Sequence, residues 1–288
     1  MVTVRELINK ATELLNNVSD TPQLDAEVIL CNLTKLERIQ LLIYPEREIS
    51  WEICRKFWEA VDKRVSLMPV QYITNHQEFM GFDFYVDERV LIPRGDTEIL
   101  VEEALEVYKR EQHNNKIIIL DIGTGSGAIA ISLAKLIEAS QVYAVDISSG
   151  ALEVAKGNAK TLGVEARVNL RLGDLFEGIE ADSLRSSIDF IISNPPYIPD
   201  QVVEGLSPQV KDYEPRGALA GGTDGLDFYK RIVASAKYYL RVGGWIMFEI
   251  GFDQGEAVAD LLLKEDFRDV RIIKDLAGLD RVVVGKNK

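Results

Sequence analysis

The sequence has few basic residues and no long apolar run, and each shortage excludes a class of protein. Its 33 Lys and Arg stand against 46 Asp and Glu, which gives a net charge of -13. Proteins that grip nucleic acid through its phosphates carry a basic surface, so we expect no direct nucleic-acid binding. The absence of any run of about 18 apolar residues argues against a membrane span.

Cysteine and histidine are also scarce, with two of each. Cys31 and Cys54 fall in apolar helical patterns, which indicates buried thiols rather than a redox pair. His76 and His113 are far apart and have no acidic or cysteine ligand at a metal-binding spacing, so we expect no metal site. The first residues lack a basic stretch followed by an apolar core, so we expect no secretory signal and a cytoplasmic protein. We expect it to act as a monomer.

Helical periodicity dominates residues 1–72. A chain of 288 residues suggests about two domains, and we expect this segment to be the first of them. In the first segment, apolar residues recur at steps of three and four and form one stripe, namely Val4, Leu7, Ile8, Ala11, Leu14 and Leu15. A second helix is predicted to begin at Thr21-Pro22, where a proline is tolerated. Ser50 is predicted to cap a third. We therefore expect a small N-terminal helical bundle.

Between residues 73 and 92 the period changes to two. Phe82, Phe84 and Val86 alternate with polar residues, and Val90–Ile92 follow a polar turn at Asp87-Glu88. This alternation predicts a β-hairpin that links two domains, with one strand on each side of that turn.

From residue 93 to residue 288, short apolar runs alternate with amphipathic segments, after a helix predicted from Asp96 to Arg110. Such alternation is typical of an α/β, Rossmann-like domain with a mostly parallel sheet covered on both faces. The seven strands are predicted at 117–121, 142–146, 167–172, 190–193, 245–250, 270–274 and 281–286. Helices are predicted between them at 127–139, 149–162, 225–240 and 253–265.

A glycine-rich turn follows the first of these strands. In Gly123-Thr124-Gly125-Ser126-Gly127 the glycines let the backbone bend sharply and let a ligand approach the main chain. Asp146 ends the next strand, where its carboxylate can accept hydrogen bonds from both hydroxyls of a ribose. These features predict an adenosine cofactor and leave open which one, because Gly123, Gly125 and Ala128 also fit the pattern of nicotinamide cofactors. S-adenosylmethionine would instead pack its ribose and amino-acid part on the bare glycine backbone.

Asp174 and Leu175 follow the third strand and are further candidates for cofactor contacts. A carboxylate at this edge of the sheet can accept a hydrogen bond from the adenine amino group, and a leucine beside it can cover the ring. The alternative is an ordinary turn aspartate followed by a core leucine.

Asn194-Pro195-Pro196-Tyr197 follows the fourth strand. Ligands of open α/β sheets bind outside the carboxyl ends of the strands, near the point where the strand order reverses. The tetrapeptide is therefore predicted to lie beside the cofactor. A purely structural strand-end turn is the alternative, but it gives no reason for the polar Asn and the Tyr on either side of a stiff proline pair.

The residue types of this tetrapeptide indicate a reaction. An amide nitrogen is a poor nucleophile because its lone pair is delocalised into the carbonyl group. The side-chain oxygen of Asn194 and the carbonyl oxygen of Pro195, held by the fixed φ of proline, can accept its two N–H groups, and Tyr197 can stack on the flat acceptor. Such positioning directs the nitrogen at a sulfonium methyl without a strong base or a metal. The motif suits any planar nitrogen, whether a glutamine amide or the amino group of adenine.

Nearly the whole chain resembles the bacterial release factor glutamine methyltransferases, the HemK family. Leu91–Glu98 resembles the most distinctive segment of that family, and at Leu175 some members carry a tryptophan. The other resembling segments are Pro22–Glu27, Gln71–Ile73, Glu78-Phe79 with Gly81, Tyr213–Arg216, Ala218-Leu219, Gly221-Gly222, Asp224–Leu226, and Glu249–Gly251 with Gln254.

The resemblance implies a class I methyltransferase domain whose last strand is antiparallel. It implies that S-adenosyl-L-methionine is the cofactor, that S-adenosyl-L-homocysteine is a product, and that the acceptor is the glutamine of the Gly-Gly-Gln motif in peptide chain release factors. Asn194–Tyr197 would contact this glutamine. Gly123–Gly127, Asp146, Leu175 and Asn194 would contact the cofactor, and the N-terminal domain would help to hold the protein partner.

Arg94, Asp96, Thr97 and Glu98 have two interpretations. Acidic residues in the first turn of a helix suit the positive end of its dipole, so the cluster can simply cap a helix. It can equally close over the cofactor or the glutamine.

Two other activities compete with this hypothesis. An adenine amino methyltransferase acting on DNA or RNA would use the same tetrapeptide, but the acidic balance and the lack of a segment rich in Lys and Arg argue against it. A nicotinamide-dependent oxidoreductase would explain the glycine turn but gives no role to Asn194–Tyr197.

Overall fold

The fold is known from a computed structural model that describes residues 2–111 and 116–288, with only the backbone described at 181 and 182. The chain divides into two compact units, residues 1–76 with 207–213 and residues 77–206 with 214–288. This division groups residues 73–76 of the predicted linker with the first unit and residues 77–92 with the second. The grouping of residues 207–213 with the first unit was not predicted.

The first unit is a small helical bundle. Its helices are α1 (Val4–Leu15), α2 (Pro22–Thr34), α3 (Arg38–Ile43), α4 (Trp51–Val65) and α5 (Val70–Thr74), and two short strands, β1 (Val2–Thr3) and β2 (Glu48–Ile49), pair antiparallel. Helix α2 begins at Pro22 and Ser50 caps α4, as the sequence predicts. Leu14 was wrongly placed in the apolar stripe of α1, since it is 53% exposed. The short helices α3 and α5 were not predicted.

A buried ion pair joins two helices of this bundle. The Nε atom of Arg64 on α4 lies 2.6 Å from Oδ2 of Asp25 on α2, and both side chains are nearly inaccessible to solvent. The hydroxyl groups of Ser19 and Thr21 donate to the same carboxylate. A buried charge is tolerated when it is paired and hydrogen-bonded. This contact explains why an aspartate stands at a buried position of α2.

The second unit begins with the hairpin of β3 (Gln77–Phe79) and β4 (Phe82–Phe84). A hairpin was expected between residues 73 and 92, but the predicted pairing across Asp87-Glu88 was wrong. The chain turns at Met80 and Gly81, both of which have positive φ, as a two-residue hairpin turn requires. Glycine, asparagine or aspartate usually occupies such a position, so a methionine there does not indicate a turn in the sequence. Val90 and Ile92 are buried without forming a strand.

The remaining helices and strands alternate as predicted. The helices are α6 (Gly95–Arg110), α7 (Ala128–Leu136), α8 (Ser149–Thr161), α9 (Asp200–Val203), α10 (Pro208–Lys211), α11 (Asp227–Tyr239) and α12 (Gly255–Lys264). The strands are β5 (Ile117–Ile122), β6 (Ser140–Asp146), β7 (Val168–Leu172), β8 (Ile188–Ser193), β9 (Leu240–Glu249), β10 (Arg268–Lys274) and β11 (Asp280–Lys286). Helix α10 belongs to the segment grouped with the first unit.

The seven strands from β5 to β11 form one sheet in the order β10-β11-β9-β8-β5-β6-β7. Strand β11 runs in the opposite direction to the other six strands of this sheet. The predicted α/β fold and its reversed last strand are therefore confirmed. Apolar side chains fill both faces of the sheet in two separate clusters, which accounts for the nearly continuous apolar runs of the central strands. Among the helices described, none is long and apolar enough to cross a membrane.

The ion pair in the first unit yields a stability prediction. Arg64→Met leaves the Asp25 carboxylate buried without its cationic partner, so the free energy of unfolding should fall by about 3–5 kcal/mol. Urea denaturation followed by circular dichroism measures this loss. Arg5→Met is the matched control, because Arg5 and Glu46 form an exposed pair, and its loss should stay below about 1 kcal/mol. Equal losses in the two variants would contradict the prediction.

Candidate active site

The strand order of the sheet reverses at β5, which pairs with β6 on one side and with β8 on the other. Ile122 at the end of β5 lies opposite Ser193 at the end of β8, so the glycine turn and the Asn-Pro-Pro-Tyr turn leave the sheet side by side. A pocket of about 400 Å³ opens at this edge. Its lining includes Gly123, Gly125, Asp146 and Asn194, so the pocket lies where ligands of open α/β sheets bind.

The glycine turn is held against the neighbouring strand. The amides of Gly123 and Thr124 donate to the carbonyl of Val145 at 2.8 and 3.0 Å. Gly123, Gly125 and Gly127 all have positive φ. A Cβ atom at Gly127 would lie 2.6 Å from Cδ1 of Ile131, whereas one at Gly123 or Gly125 would meet nothing within 4 Å. Gly127 is thus needed for packing, and the other two glycines present bare backbone to the pocket.

Two residues of the turn that were predicted to contact the cofactor point elsewhere. Thr124 is buried, and its hydroxyl donates to Oδ2 of Asp121 at 2.6 Å. Ser126 is also buried, and its carbonyl accepts a hydrogen bond from Asn158 on α8. The Thr124 side chain and the Ser126 backbone therefore hold the turn from behind. The predicted contact of these residues and of Gly127 with the cofactor stays a prediction.

Asp121 at the end of β5 is fully buried behind the glycine turn. The amide of Ala130 also donates to Oδ2, while Oδ1 has no hydrogen-bond partner among the described residues. Burial raises the pKa of this carboxyl to about 7, against the lowering effect of the Thr124 and Ala130 hydrogen bonds. In the sequence, Asp121 stands out only as the acid that ends the strand predicted at 117–121.

Asp146 at the end of β6 is fixed by two backbone amides. Oδ2 accepts the N–H of Gly125 at 2.8 Å, and Oδ1 accepts the N–H of Ser148 at 2.9 Å. A carboxylate oxygen has a second lone pair, so each oxygen can accept one more hydrogen bond. Ile147 follows with 73% of its surface exposed, at the rim of the pocket. This geometry suits a ribose with two vicinal hydroxyls.

Asp174 and Leu175 line the pocket, as do Phe228 and Arg231 of α11. The guanidinium of Arg231 lies 2.5 Å from Oδ2 of Asp174, which leaves the other carboxylate oxygen for a ligand. Leu175 has positive φ and begins a 3-10 helix. Phe228 was not predicted from the sequence, and it shares the lining of the pocket with Leu175.

Asn194, Pro195 and Pro196 line the pocket on the side of β8. The hydroxyl of Ser193 donates to the carbonyl of Ile122 at 2.7 Å and ties the start of this turn to β5. The side-chain amide of Asn194 donates through Nδ2 to Oγ1 of Thr97 at 3.2 Å. The structure therefore brings Asn194 and the two prolines beside the glycine turn.

Tyr197 differs from the other three residues, because its side chain packs against the apolar core of this unit. Its hydroxyl donates to Oε1 of Glu249 at 3.4 Å, and its carbonyl accepts from Nε2 of Gln254 at 3.0 Å. Burial raises the pKa of the Tyr197 hydroxyl well above its ordinary value, and the nearby Glu249 raises it further. Its predicted stacking on the acceptor stays a prediction, and the structure shows its role in anchoring the turn.

Glu249 at the end of β9 is almost completely buried. Burial raises its pKa to about 7, and a hydrogen bond from the Thr97 hydroxyl is the largest opposing effect. In the sequence, Glu249 and Gln254 stand out only as parts of segments that resemble the family. An acid at the end of an otherwise apolar strand is the signal that identifies such a residue.

The cluster at the start of α6 makes contacts with other elements rather than capping the helix with its side chains. Arg94 donates to both carboxylate oxygens of Glu214 at 2.7 Å. Asp96 lies 3.2 Å from Arg281, and Glu98 accepts the amide of Met80 at 2.5 Å. These contacts fasten the start of α6 to neighbouring elements, and Asp96 and Glu98 lie in its first turn, where acids suit the helix dipole. The closing of this cluster over the cofactor or the glutamine stays a prediction.

The residues of the pocket suit S-adenosylmethionine. Gly123 and Gly125 leave room for a ligand, Asp146 suits a ribose, and the apolar Leu175 suits an adenine ring.

Metal ligands are not grouped in this site. Within residues 2–111 and 116–288, no three His, Cys, Asp or Glu side chains come together as metal ligands would. Of the two histidines considered from the sequence, His113 lies outside the described residues.

The buried Asp121 yields a prediction of pH dependence. Its pKa is raised in the folded state, so between about pH 4 and pH 7 the folded protein holds a proton that the unfolded chain releases. The free energy of unfolding should therefore fall as the pH rises through this window. In Asp121→Asn this part of the dependence should be absent. Urea denaturation at several pH values compares the two slopes, and identical slopes would contradict the assignment.

Comparisons with known proteins agree with this geometry. A family model described as the PrmC N-terminal domain matches residues 6–74, and one described as a methyltransferase domain matches residues 113–262. A solved methyltransferase from Pyrococcus furiosus is 17% identical, covers 72% of this chain and 89% of that chain, and has a TM-score of 0.50. At that identity the likeness shows the fold alone.

Two curated relatives match over nearly their whole length. The release factor glutamine methyltransferase of Moorella thermoacetica is 44% identical, covering 97% of each chain. That of Clostridium acetobutylicum is 40% identical, covering 98% of this chain and 97% of its own. Such identity across both units shows that the chain belongs to the release factor glutamine methyltransferases.

Proposed function

We propose that this protein transfers a methyl group from S-adenosylmethionine to the side-chain nitrogen of the glutamine in the Gly-Gly-Gln motif of peptide chain release factors. The observation that carries the proposal is the position of Asn194–Pro196 in the wall of the pocket, beside the glycine turn. Family membership supports the same acceptor, because the relatives are named for it. Since release factors act in translation, the proposal places the protein in the cytoplasm, and a monomer stays our prediction.

The acceptor amide is held by groups of the β8 turn. Oδ1 of Asn194 and the carbonyl of Pro195 accept the two N–H groups of the glutamine amide, which orients its nitrogen and raises its electron density. The chain tethers the turn at Ser193, at Tyr197 and through Gln254, so these acceptors are preorganised. Preorganised hydrogen-bonding groups and close positioning can account for the greater part of such catalysis.

The cofactor site is assigned to the other wall of the pocket. The backbone of Gly123 and Gly125 would pack on the amino-acid part, Asp146 would accept the ribose hydroxyls, and Asp174 with Leu175 would hold the adenine. When bound, S-adenosylmethionine supplies an electrophilic methyl group with a good leaving group, so the protein needs no metal and no covalent intermediate. The proton of the methylated amide leaves to water.

We assign recognition of the release factor to the first unit. It carries the match to the PrmC N-terminal domain. Helix α3 and the residue after it also expose apolar side chains, namely Ile39, Leu42, Ile43 and Tyr44. Exposed apolar groups that lie together mark protein-binding surfaces.

Mass spectrometry tests the reaction and the acceptor together. Purified release factor is incubated with the enzyme and S-adenosylmethionine, and a second sample contains RNA and DNA instead. We expect the mass of one methylene group to be added to the peptide that contains Gly-Gly-Gln. A label found in nucleic acid and absent from the release factor would overturn the proposal in favour of an adenine amino methyltransferase.

Asn194→Ala tests the acceptor site. The loss of a preorganised group that contacts the reacting amide should lower kcat about 100-fold or more. Affinity for S-adenosylmethionine, measured by calorimetry, should change by less than about tenfold. Asn169→Ala is the matched control, since Asn169 lies on β7 and its side-chain amide donates to the carbonyl of Val142 on β6. Turnover equal in both variants would remove Asn194 from the catalytic assignment.

Asp146→Ala tests the cofactor site. Removal of a charged acceptor of ribose hydroxyls should weaken S-adenosylmethionine binding about 10- to 100-fold. Asp260→Ala, at an exposed position of α12, is the control and should bind normally. Unchanged affinity in Asp146→Ala, measured by calorimetry, would place the ribose elsewhere.

A further inference from the structure

Four residues line the pocket beside β7, the edge strand of the sheet. They are Asp174 and Leu175, which follow β7, and Phe228 and Arg231, which lie on α11. Neighbouring strands lie about 5 Å apart, here in the order β8, β5, β6 and β7. A ligand that lies across their carboxyl ends meets the acceptor turn first, then the glycine turn, then Asp146, and Asp174 last. In S-adenosylmethionine the amino-acid part, the ribose and the base follow one another, so this order puts the base at β7.

Arg231 holds one oxygen of the Asp174 carboxylate. Its Nη2 atom donates to Oδ2 at 2.5 Å, while Oδ1 carries no hydrogen bond among the described residues. The Arg231 and Asp174 side chains are 49% and 32% exposed, so water competes for a carboxylate that no partner holds. A charge-assisted hydrogen bond to Oδ2 restricts rotation of the carboxylate and thereby fixes the direction of Oδ1. Oδ1 is an acceptor with its lone pairs still available to a ligand.

Phe228 presents an aromatic ring on the same face of α11. It lies three residues before Arg231, a spacing that places two side chains side by side on a helix. The guanidinium carbon of Arg231 lies 5.8 Å from the centre of the Phe228 ring. Among the described residues that line the pocket, Phe228 is the only aromatic one. An aromatic ring can stack on any base, because every base has a flat π-face.

Helix α11 is anchored by other residues than these two. Tyr229 is fully buried in the core. At the other end of the helix, the ring of Tyr239 stacks on Phe176, with ring centres 4.7 Å apart and planes inclined by 5°. Substitution of Phe228 or Arg231 should therefore leave the helix in place, and a change in ligand binding would report on the pocket itself.

We propose that this face of α11 forms part of the adenine site. Phe228 stacks on the base, and Arg231 is a positioning residue that directs Oδ1 of Asp174 at the adenine amino group. The inference rests on the proposed function, because it needs an adenosyl cofactor in the pocket. A carboxylate only accepts hydrogen bonds, so the pair of Arg231 and Asp174 selects a purine that carries an amino donor at this edge.

Two ligands test the direction of Asp174. One is S-adenosylhomocysteine, and the other is its deamino analogue, in which hydrogen replaces the adenine amino group. Calorimetry gives a dissociation constant for each. The wild type should prefer S-adenosylhomocysteine about tenfold or more, the equivalent of one hydrogen bond to a charged group. In Asp174→Ala the two ligands should bind almost equally, because the acceptor of the amino group is gone.

Arg231→Met tests the positioning role, since it removes the guanidinium and keeps an apolar stem. The preference for S-adenosylhomocysteine should fall to about threefold or less, because a carboxylate that rotates freely makes a weaker hydrogen bond. Lys230→Met is the matched control, since Lys230 precedes Arg231 on α11, forms a similarly exposed ion pair with Asp224 and does not line the pocket. It should keep the wild-type preference. A purely structural role of Arg231 would weaken both ligands alike and leave the preference unchanged.

Phe228→Ala tests the stacking role. Both ligands should bind about tenfold more weakly, the loss of one stacked base, and the preference between them should not change. Tyr238→Ala is the matched control, because Tyr238 is an aromatic residue of α11 that lies 4.5 Å from the guanidinium of Arg185 and does not line the pocket. It should bind both ligands as the wild type does. If Phe228→Ala does not fold, Phe228→Leu, which keeps apolar bulk without the ring, takes its place.

The outcomes distinguish the inference from the proposed function. If the wild type binds neither ligand, the proposed function has failed. If the wild type binds both ligands equally, or if Arg231→Met keeps the wild-type preference, the role of Arg231 is refuted. If the Phe228 variant binds both ligands as tightly as the wild type, the base does not stack on this ring and α11 is not part of the adenine site.

Discussion

The parallel pairing of β5 with β8 is the constraint on which the site depends. It places Ile122 opposite Ser193, and the Ser193 hydroxyl bonds the Ile122 carbonyl across the pair. The next residue on each strand begins one of the two turns, so the two walls of the pocket start one residue from a shared fixed point. The crossover helices leave β5 and β8 in opposite directions, and the pocket opens between the two turns at this edge of the sheet.

Most of the fold was predictable because the second unit is built from strands buried on both faces. Such strands are apolar throughout, and their ends fall at acids or glycines that are visible in the sequence, as at Asp146 and Gly123. The positions of the glycine turn and of the Asn-Pro-Pro-Tyr turn at the pocket were predictable too. Ligands of open α/β sheets bind outside the carboxyl ends of the strands, so locating the strand ends is enough to locate these turns. The contacts that hold the glycine turn were not predictable: the Thr124 hydroxyl donates to Asp121, and the Ser126 carbonyl accepts from Asn158.

The features that escaped sequence inspection depend on contacts between distant residues. Thr97 and Glu249 are ordinary residues of a helix start and a strand end until the fold brings Thr97 beside Asn194 and Glu249 beside Tyr197. The hairpin turn was missed because Met80 adopts a backbone conformation that glycine or asparagine usually marks. Asp25 belongs to a segment that resembles the family, but the sequence does not show why an aspartate stands there. Its buried partner, Arg64, lies 39 residues away in the chain and reaches it only in the packed bundle.

The position of β11 has a consequence for how the protein is made. This strand lies between β9 and β10 and pairs with both, although it follows them in the chain. Until residues 280–286 leave the ribosome, β9 has an open edge and β10 has no partner in the sheet, and Arg281 is not yet beside Asp96 and Glu249. A nascent chain can therefore form the pocket walls at β5 and β8 early, but the buried acid behind them gains its counter-charge only at the end of synthesis.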